Sequence, residues 1–243
     1  MINLPKKIMD VVNTYDSQTG YYKKNNGEPD GIHTELEVLE IWYNLCRMIR
    51  PTRVIETGVY QGLSTCYLAA AMHDNGLGGK IYGIDPLPQN HLWIGTELEK
   101  YIEYLSIFSY GALPYLVGQE YDLLIVDSEH TYKTANLELV NFEPLVRPGG
   151  YIIMHDTLFH DGVAQAARAL YDSPRFEVIT FETPRAKQTP NIKDPVSMGL
   201  TIARKVNHGP PISTDPGWIG VGERDPVGPE PWLRRVVRRA SDV

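Results

Sequence analysis

The feature that most constrains this chain is an apolar run that ends on an acid and breaks into a glycine loop. Arg53-Val54-Ile55-Glu56-Thr57 has the β-branched content of a buried strand, Gly58-Val59-Tyr60-Gln61-Gly62 reads as a tight loop, and from Leu63 through Met72 the spacing turns helical. The pattern then recurs. Lys80-Ile81-Tyr82-Gly83-Ile84-Asp85 is a second strand, with a helix expected over Trp93 to Tyr104 and a third strand over Ile102 to Phe108. Tyr121 to Asp127 is the most apolar strand; a helix from Tyr132 to Leu145, a turn at Arg147-Pro148-Gly149-Gly150 and a fifth strand, Tyr151 to Met154, follow it. After a helix from Gly162 to Tyr171, Phe176–Phe181 and Met198–Ala203 read as two late strands able to pair antiparallel. Strands alternating with helices demand a doubly wound, mostly parallel α/β sheet, here of seven strands, with helices on both faces and an antiparallel hairpin at the end.

Three segments are expected: a lid over residues 1–33, a main domain over 34–207 and a Pro/Gly-rich, then basic, tail over 208–243. A helix from Thr34 to Met48, stopped by Pro51, leads into the main domain and offers an apolar face around Trp42 and Leu45 for a homodimer interface. The tail ends in Trp232-Leu233-Arg234-Arg235-Val236-Val237-Arg238-Arg239, which reads as a solvated or docked terminus. A net charge of -7 argues against a nucleic-acid partner. The two cysteines, Cys46 and Cys66, lack metal spacing and sit in apolar stretches, as core thiols do in a reducing compartment. With no apolar run of about 18 residues and no apolar leader after Met1, the expected setting is the cytoplasm, away from membranes.

Ligands of such sheets bind beyond the carboxyl ends of the strands, so the first glycine loop identifies the cofactor. Its spacing, Glu56-x-Gly58-x-x-x-Gly62, is not the G-x-G-x-x-G of dinucleotide folds. Glycines there permit a sharp turn and close approach to a ligand, Glu56 can accept a hydrogen bond from a cationic amino group, and Asp85 stands where an acid holds ribose hydroxyls. S-adenosylmethionine has both groups.

The run Val54 to Thr65 resembles motif I of class I S-adenosylmethionine-dependent methyltransferases, whose fold is Rossmann-like. The stretches Asp127-Ser128-Glu129-His130-Thr131-Tyr132, Pro144 to Gly150 and His155-Asp156-Thr157 are similar to one branch of that superfamily, the macrolide (macrocin) and sugar O-methyltransferases and cephalosporin-hydroxylase-like proteins. The resemblance covers about residues 34–205 and is specific for fold and cofactor rather than acceptor. It implies that Glu56, Gly58 and Gly62 line the methionine end of the cofactor, that Ser64 opens the following helix and Asp85 binds the ribose, and that Phe108 and Ser109 fall at the adenine; Asp127 also faces the cofactor.

Methyl transfer to oxygen requires removal of a hydroxyl proton, through a bound cation or a histidine base. Asp127 and Asp156 end adjacent parallel strands, a geometry suited to a hard cation such as Mg²⁺. In catechol-type relatives a further hard ligand precedes the second acid, whereas here that position is His155. His130 is the favoured base, with His155 its competitor, while His160 and Asp161 read as helix-start residues with Asp161 the cap. The acceptor pocket is expected from the first thirty-odd residues, with Tyr15, Tyr21, Tyr22 and His33, and from the insert Thr183 to Pro190. The chain thus reads as an O-methyltransferase of a small molecule, a sugar or natural product. The alternatives are a metal-independent methyltransferase with a histidine base and a non-catalytic S-adenosylmethionine-binding protein.

Overall fold

The structure, a computed structural model, describes residues 2–16, 21–23, 29–30, 33–87, 89–183, 197–209 and 212. In chain order its elements are α1 (Lys6–Val12), β1 (Tyr15–Asp16), β2 (Tyr21–Lys23), β3 (Pro29–Asp30), α2 (Leu36–Ile49), β4 (Arg53–Thr57), α3 (Leu63–Asn75), β5 (Lys80–Ile84) and β6 (Ile102–Leu105). There follow α4 (Leu113–Leu116), β7 (Tyr121–Val126), α5 (Tyr132–Phe142), β8 (Val146–His155), α6 (Asp161–Tyr171), β9 (Phe176–Phe181) and β10 (Leu200–Lys205). Seven strands form one mostly parallel sheet in the order β6-β5-β4-β7-β8-β10-β9, beside a small sheet of β1, β2 and β3. The fold is the expected α/β architecture with its antiparallel last pair, β9 and β10.

The chain divides into two compact units, one within Met1–Phe108 and Thr183–Ser197, the other within Ser109–Glu182 and Met198–Val243. In the first, β4, β5 and β6 pair in parallel and α2 packs on α3. Helix α3 is buried nearly all round, from Leu63 through Met72, because alanines and a thiol leave it thin enough to lie within the core. Trp42 is fully buried in α2 and so belongs to the core rather than to an exposed face, while Leu45 is half-buried.

In the second unit, β7 pairs in parallel with β8, and β8, β10 and β9 are antiparallel neighbours. Helices α5 and α6 pack on one another. Glu143 is fully buried and receives a bidentate pair from Arg175, at 2.7 and 3.1 Å, and a third contact from Lys205 at 2.9 Å. A buried carboxylate is tolerable only with such partners.

Two segments differ from the sequence reading. No helix spans Trp93 to Tyr104: residues 92–98 form separate turns, and a short 3-10 turn, Glu99–Tyr101, runs straight into β6. Gly95 has φ +77°, outside the helical region, and the Thr96 hydroxyl bonds the Trp93 carbonyl, so the apolar spacing there serves a docked loop. The Arg147–Gly150 turn lies inside β8, where Tyr121 pairs with Val146 and Leu123 with Tyr151; the extra residues bulge out without ending the strand. The insert 184–190 and the basic tail 232–239 lie outside the described residues.

Candidate active site

In the first unit the site begins where β4 ends. Glu56 is fully buried, and Gly58 at φ +79°, Tyr60 at φ +47° and Gly62 at φ +81° turn the chain sharply into α3. Such a turn leaves backbone N–H groups to satisfy, and Asp85 satisfies them. Its Oδ2 accepts from Val59 N–H at 3.0 Å and Tyr60 N–H at 2.8 Å, and its Oδ1 accepts from Leu87 N–H at 2.8 Å. The acid expected at the ribose therefore also shapes the loop. Gly62 is required twice over, by its positive φ and because a Cβ there would overlap the Trp93 ring. His91 stacks on Trp93 at 4.2 Å and 11°, and Leu92 N–H bonds the Gln61 carbonyl, so the 91–93 segment seals one side of the loop. On another side rings run from Tyr60 to His33 at 5.3 Å, His33 to Tyr22 at 5.3 Å and Tyr22 to Tyr15 at 4.9 Å. Three aromatic residues expected at an acceptor pocket thus build a wall against the glycine loop; Tyr21 lies in β2. Ser64 is buried in the first turn of α3, whereas Phe108, just past β6, is 56% exposed.

In the second unit Ser109 opens a short 3-10 turn, Ser109–Gly111. The chemical groups gather at the ends of β7 and β8. The Ser128 hydroxyl donates to Glu138 at 2.6 Å, and the Thr131 hydroxyl caps α5 by accepting from Thr134 N–H, which fixes the loop carrying His130. His155 ends β8, and Asp156 turns away at φ +60°, its carbonyl accepting from Phe159 and His160 N–H. The N-cap of α6 is His160 rather than Asp161, which is the first helical residue.

The result is a knot of carboxylates and imidazoles. His130 Nε2 lies 2.8 Å from Asp156 Oδ2 and 3.9 Å from Asp127 Oδ1. His155 Nδ1 lies 3.2 Å from Asp127 Oδ1 and 3.3 Å from Asp156 Oδ1. The His160 ring stacks on His130 at 4.2 Å and 9°. Burial lowers the His130 pKa, but the neighbouring carboxylates of Asp127 and Asp156 and their charges outweigh it and push it up to about 10. Burial likewise raises the Asp127 carboxyl, yet His155, then the His130 and His155 N–H groups, hold it below the usual carboxylate range. His130 in this arrangement is an imidazolium at neutral pH, whereas a base must be neutral. All four acid and histidine residues expected at the reacting end come together here. His160, read from the sequence as a helix-start residue, is the N-cap of α6 and also joins them by stacking on His130.

Mg²⁺ takes oxygen ligands in a tight octahedron. Among the described residues, two groups could hold an ion, Asp127 with His155 and Asp156, and His130 with Asp156 and His160, which bring two carboxylates among three imidazoles. In that donor set only the two carboxylates suit a hard cation.

Residues 55–157 match the model of a methyltransferase-domain family. No curated protein matches the chain. Among solved structures, the O-methyltransferase TomG of Streptomyces achromogenes, involved in tomaymycin synthesis and solved with S-adenosylmethionine, is 13% identical with a TM-score of 0.62, over 85% of this chain and 92% of its own. An O-methyltransferase of Bacillus cereus bound to S-adenosylhomocysteine is 15% identical with a TM-score of 0.59, over 84% and 93%. The Podospora anserina methyltransferase PaMTH1, bound to the same product, is 13% identical with a TM-score of 0.59, over 84% and 89%. At these identities the likeness is one of fold.

Proposed function

We propose that the chain is a class I S-adenosylmethionine-dependent methyltransferase, as the match of residues 55–157 to a methyltransferase-domain family supports, and that it moves the methyl group of S-adenosylmethionine to a hydroxyl oxygen of a small molecule. The observation that carries the choice of oxygen is the knot of Asp127, His130, His155 and Asp156. An amine already has a lone pair once neutral, whereas an alcohol or phenol must lose a proton as the sulfonium carbon is attacked. A cluster of carboxylates and imidazoles is a device for that proton. His130, the most exposed of the four and already protonated, donates to the acceptor oxygen, and the carboxylate of Asp127 or Asp156 takes the hydroxyl proton as the new O–C bond forms and S-adenosylhomocysteine leaves. The TomG neighbour, an enzyme of tomaymycin synthesis, supports a natural product as acceptor.

At the cofactor, Glu56 faces the methionine amino group and Gly58 and Gly62 admit its chain. Asp85 contributes less to the ribose than the sequence implied, since two N–H groups already occupy Oδ2 and one occupies Oδ1. A carboxylate oxygen accepts about two hydrogen bonds, so Oδ1 is left for one ribose hydroxyl. Ser64 and the Phe108–Ser109 segment are assigned to the cofactor's carboxylate and adenine ends. Mg²⁺ would meet Asp127 and Asp156 as its only carboxylate ligands among imidazoles.

Labelled S-adenosylmethionine incubated with a panel of sugars and phenols tests the reading. An O-methyl product is expected, with kcat reduced about 10²- to 10⁴-fold in His130→Gln and Asp127→Asn while cofactor affinity holds. Products methylated on nitrogen alone, or full turnover in both variants, would overturn it.

A further inference from the structure

We propose that His160 is a positioning residue for the methyl transfer, its ring stacked on His130 so as to fix the plane of that imidazole and with it the direction of the N–H that meets the acceptor oxygen. The inference rests on the proposed function, which makes His130 the donor to that oxygen. Nε2 of His130 is buried against the carboxylates, 2.8 Å from Asp156 Oδ2 and 3.9 Å from Asp127 Oδ1, so Nδ1 is the nitrogen left for the acceptor. Contacts between charges hold a nitrogen near an oxygen but set no ring plane, and the ring can still pivot about Nε2. With 36% of the His130 side chain exposed, surrounding atoms do not close off that pivot on every side. The His160 ring does, its centroid 4.2 Å from that of His130 with 9° between the planes. Two flat rings in face contact share one orientation, so a turn of either opens a gap or makes a clash.

The backbone holds the His160 ring in place. Its N–H donates to the Asp156 carbonyl at 3.0 Å, its carbonyl accepts from Val163 and Ala164 N–H at 3.0 Å each, and the Phe159 ring stands edge-on to it at 4.7 Å and 84°. Gly162 lets the first turn of α6 sit directly on the His130 loop, since a Cβ there would overlap Tyr132 N and the His130 carbonyl. The residue type points the same way. His160 is the N-cap of α6, in the extended conformation, φ -97° and ψ 112°, that suits a Ser, Thr, Asp or Asn whose side chain accepts from the first helical N–H groups. Its imidazole makes no such capping bond and lies on His130 instead. A helix start that forgoes its side-chain cap beside a reacting group breaks a local rule where function gives the reason.

His160→Asn separates this role from a structural one, because it supplies a helix cap while it removes the ring. In the full-length protein the expected result is a higher urea midpoint together with a kcat about 10- to 100-fold lower on the sugar or phenol that wild type methylates, with S-adenosylmethionine affinity by calorimetry unchanged. His160→Phe, which restores a flat ring without the nitrogens, should recover kcat, whereas His160→Leu, bulky but without a ring, should not. The ring C–H resonances of His130, followed by NMR, should stay ring-current shifted in His160→Phe and lose that shift in His160→Asn and His160→Leu. Circular dichroism identifies any variant that fails to fold, and His160→Ser then replaces His160→Asn. Wild-type kcat in His160→Asn, a loss in His160→Phe equal to that in His160→Leu, or His130 resonances indifferent to the ring would overturn the inference. Any of these with wild-type turnover intact would leave the proposed function standing, whereas a wild type that yields no O-methyl product would strike that function and the His160 role with it.

Discussion

Gly162 shows how one hydrogen atom in place of a methyl group holds the reacting groups in register. It lies in the first turn of α6, and a Cβ there would overlap the backbone of Tyr132, Thr131 and the His130 carbonyl. Backbone cannot swing aside as a side chain can, so Gly162→Ala must push apart α6 and the loop that carries His130. Overpacking of this kind costs about 1 to 3 kcal/mol. The expected outcome is a lower urea midpoint together with a fall in kcat, while S-adenosylmethionine affinity, proposed to rest on Glu56, Gly58 and Gly62, stays near wild type. A variant with wild-type kcat would show that the His130 loop tolerates the displacement. Asp85 is a comparable case, since three N–H groups on one carboxylate make it a builder of the glycine loop.

At the scale of elements, the docked 91–98 segment is where pH should be felt. Burial lowers the His91 pKa below 6.5, and the charge of Asp85 offsets part of that. An imidazole harder to protonate when folded means the unfolded chain binds the proton first. Its contribution is therefore present above the unfolded value, 6.5, and stability falls as pH drops through it toward the folded pKa. Urea midpoints at pH 7.5 and 5.5, both about typical working conditions around the histidine range, should show a drop in wild type. That drop should be smaller in His91→Phe, which keeps a ring on Trp93. An equal drop in both would locate the titration elsewhere. This segment was also the least legible part of the fold. Strand β4 and the start of α3 could be read to the residue, because an apolar run meeting two glycines leaves little choice. Residues 92–101 carry helix-like apolar spacing but fold as turns, since Trp93 packs on Gly62, a contact invisible to local periodicity. Asp127 and Asp156 were legible because strands of known direction place their ends together. The pairing of His130 with Asp156, and the arrival of His160, depend on side-chain directions that spacing does not encode.

For the whole molecule, the proposed assignment of the cofactor has a thermodynamic consequence. Glu56, Gly58, Gly62 and Asp85 belong to the unit within Met1–Phe108, and the acid–histidine knot belongs to the unit within Ser109–Glu182. A ligand that binds only the folded state stabilises it by about 2.7 kcal/mol at a hundred times its Kd. For a chain of this size each kcal/mol moves Tm by about 2 to 4 °C. S-adenosylmethionine at that excess should therefore raise Tm by roughly 5 to 10 °C. If the cofactor is held as proposed, the rise persists in His130→Gln and shrinks in Asp85→Ala, each compared with its own unliganded Tm by calorimetry. The reverse pattern would move the cofactor's main contacts to the acid–histidine knot. Because such a variant would bind its cofactor and still fail to turn over, the comparison separates affinity from chemistry in a way that an activity assay alone does not.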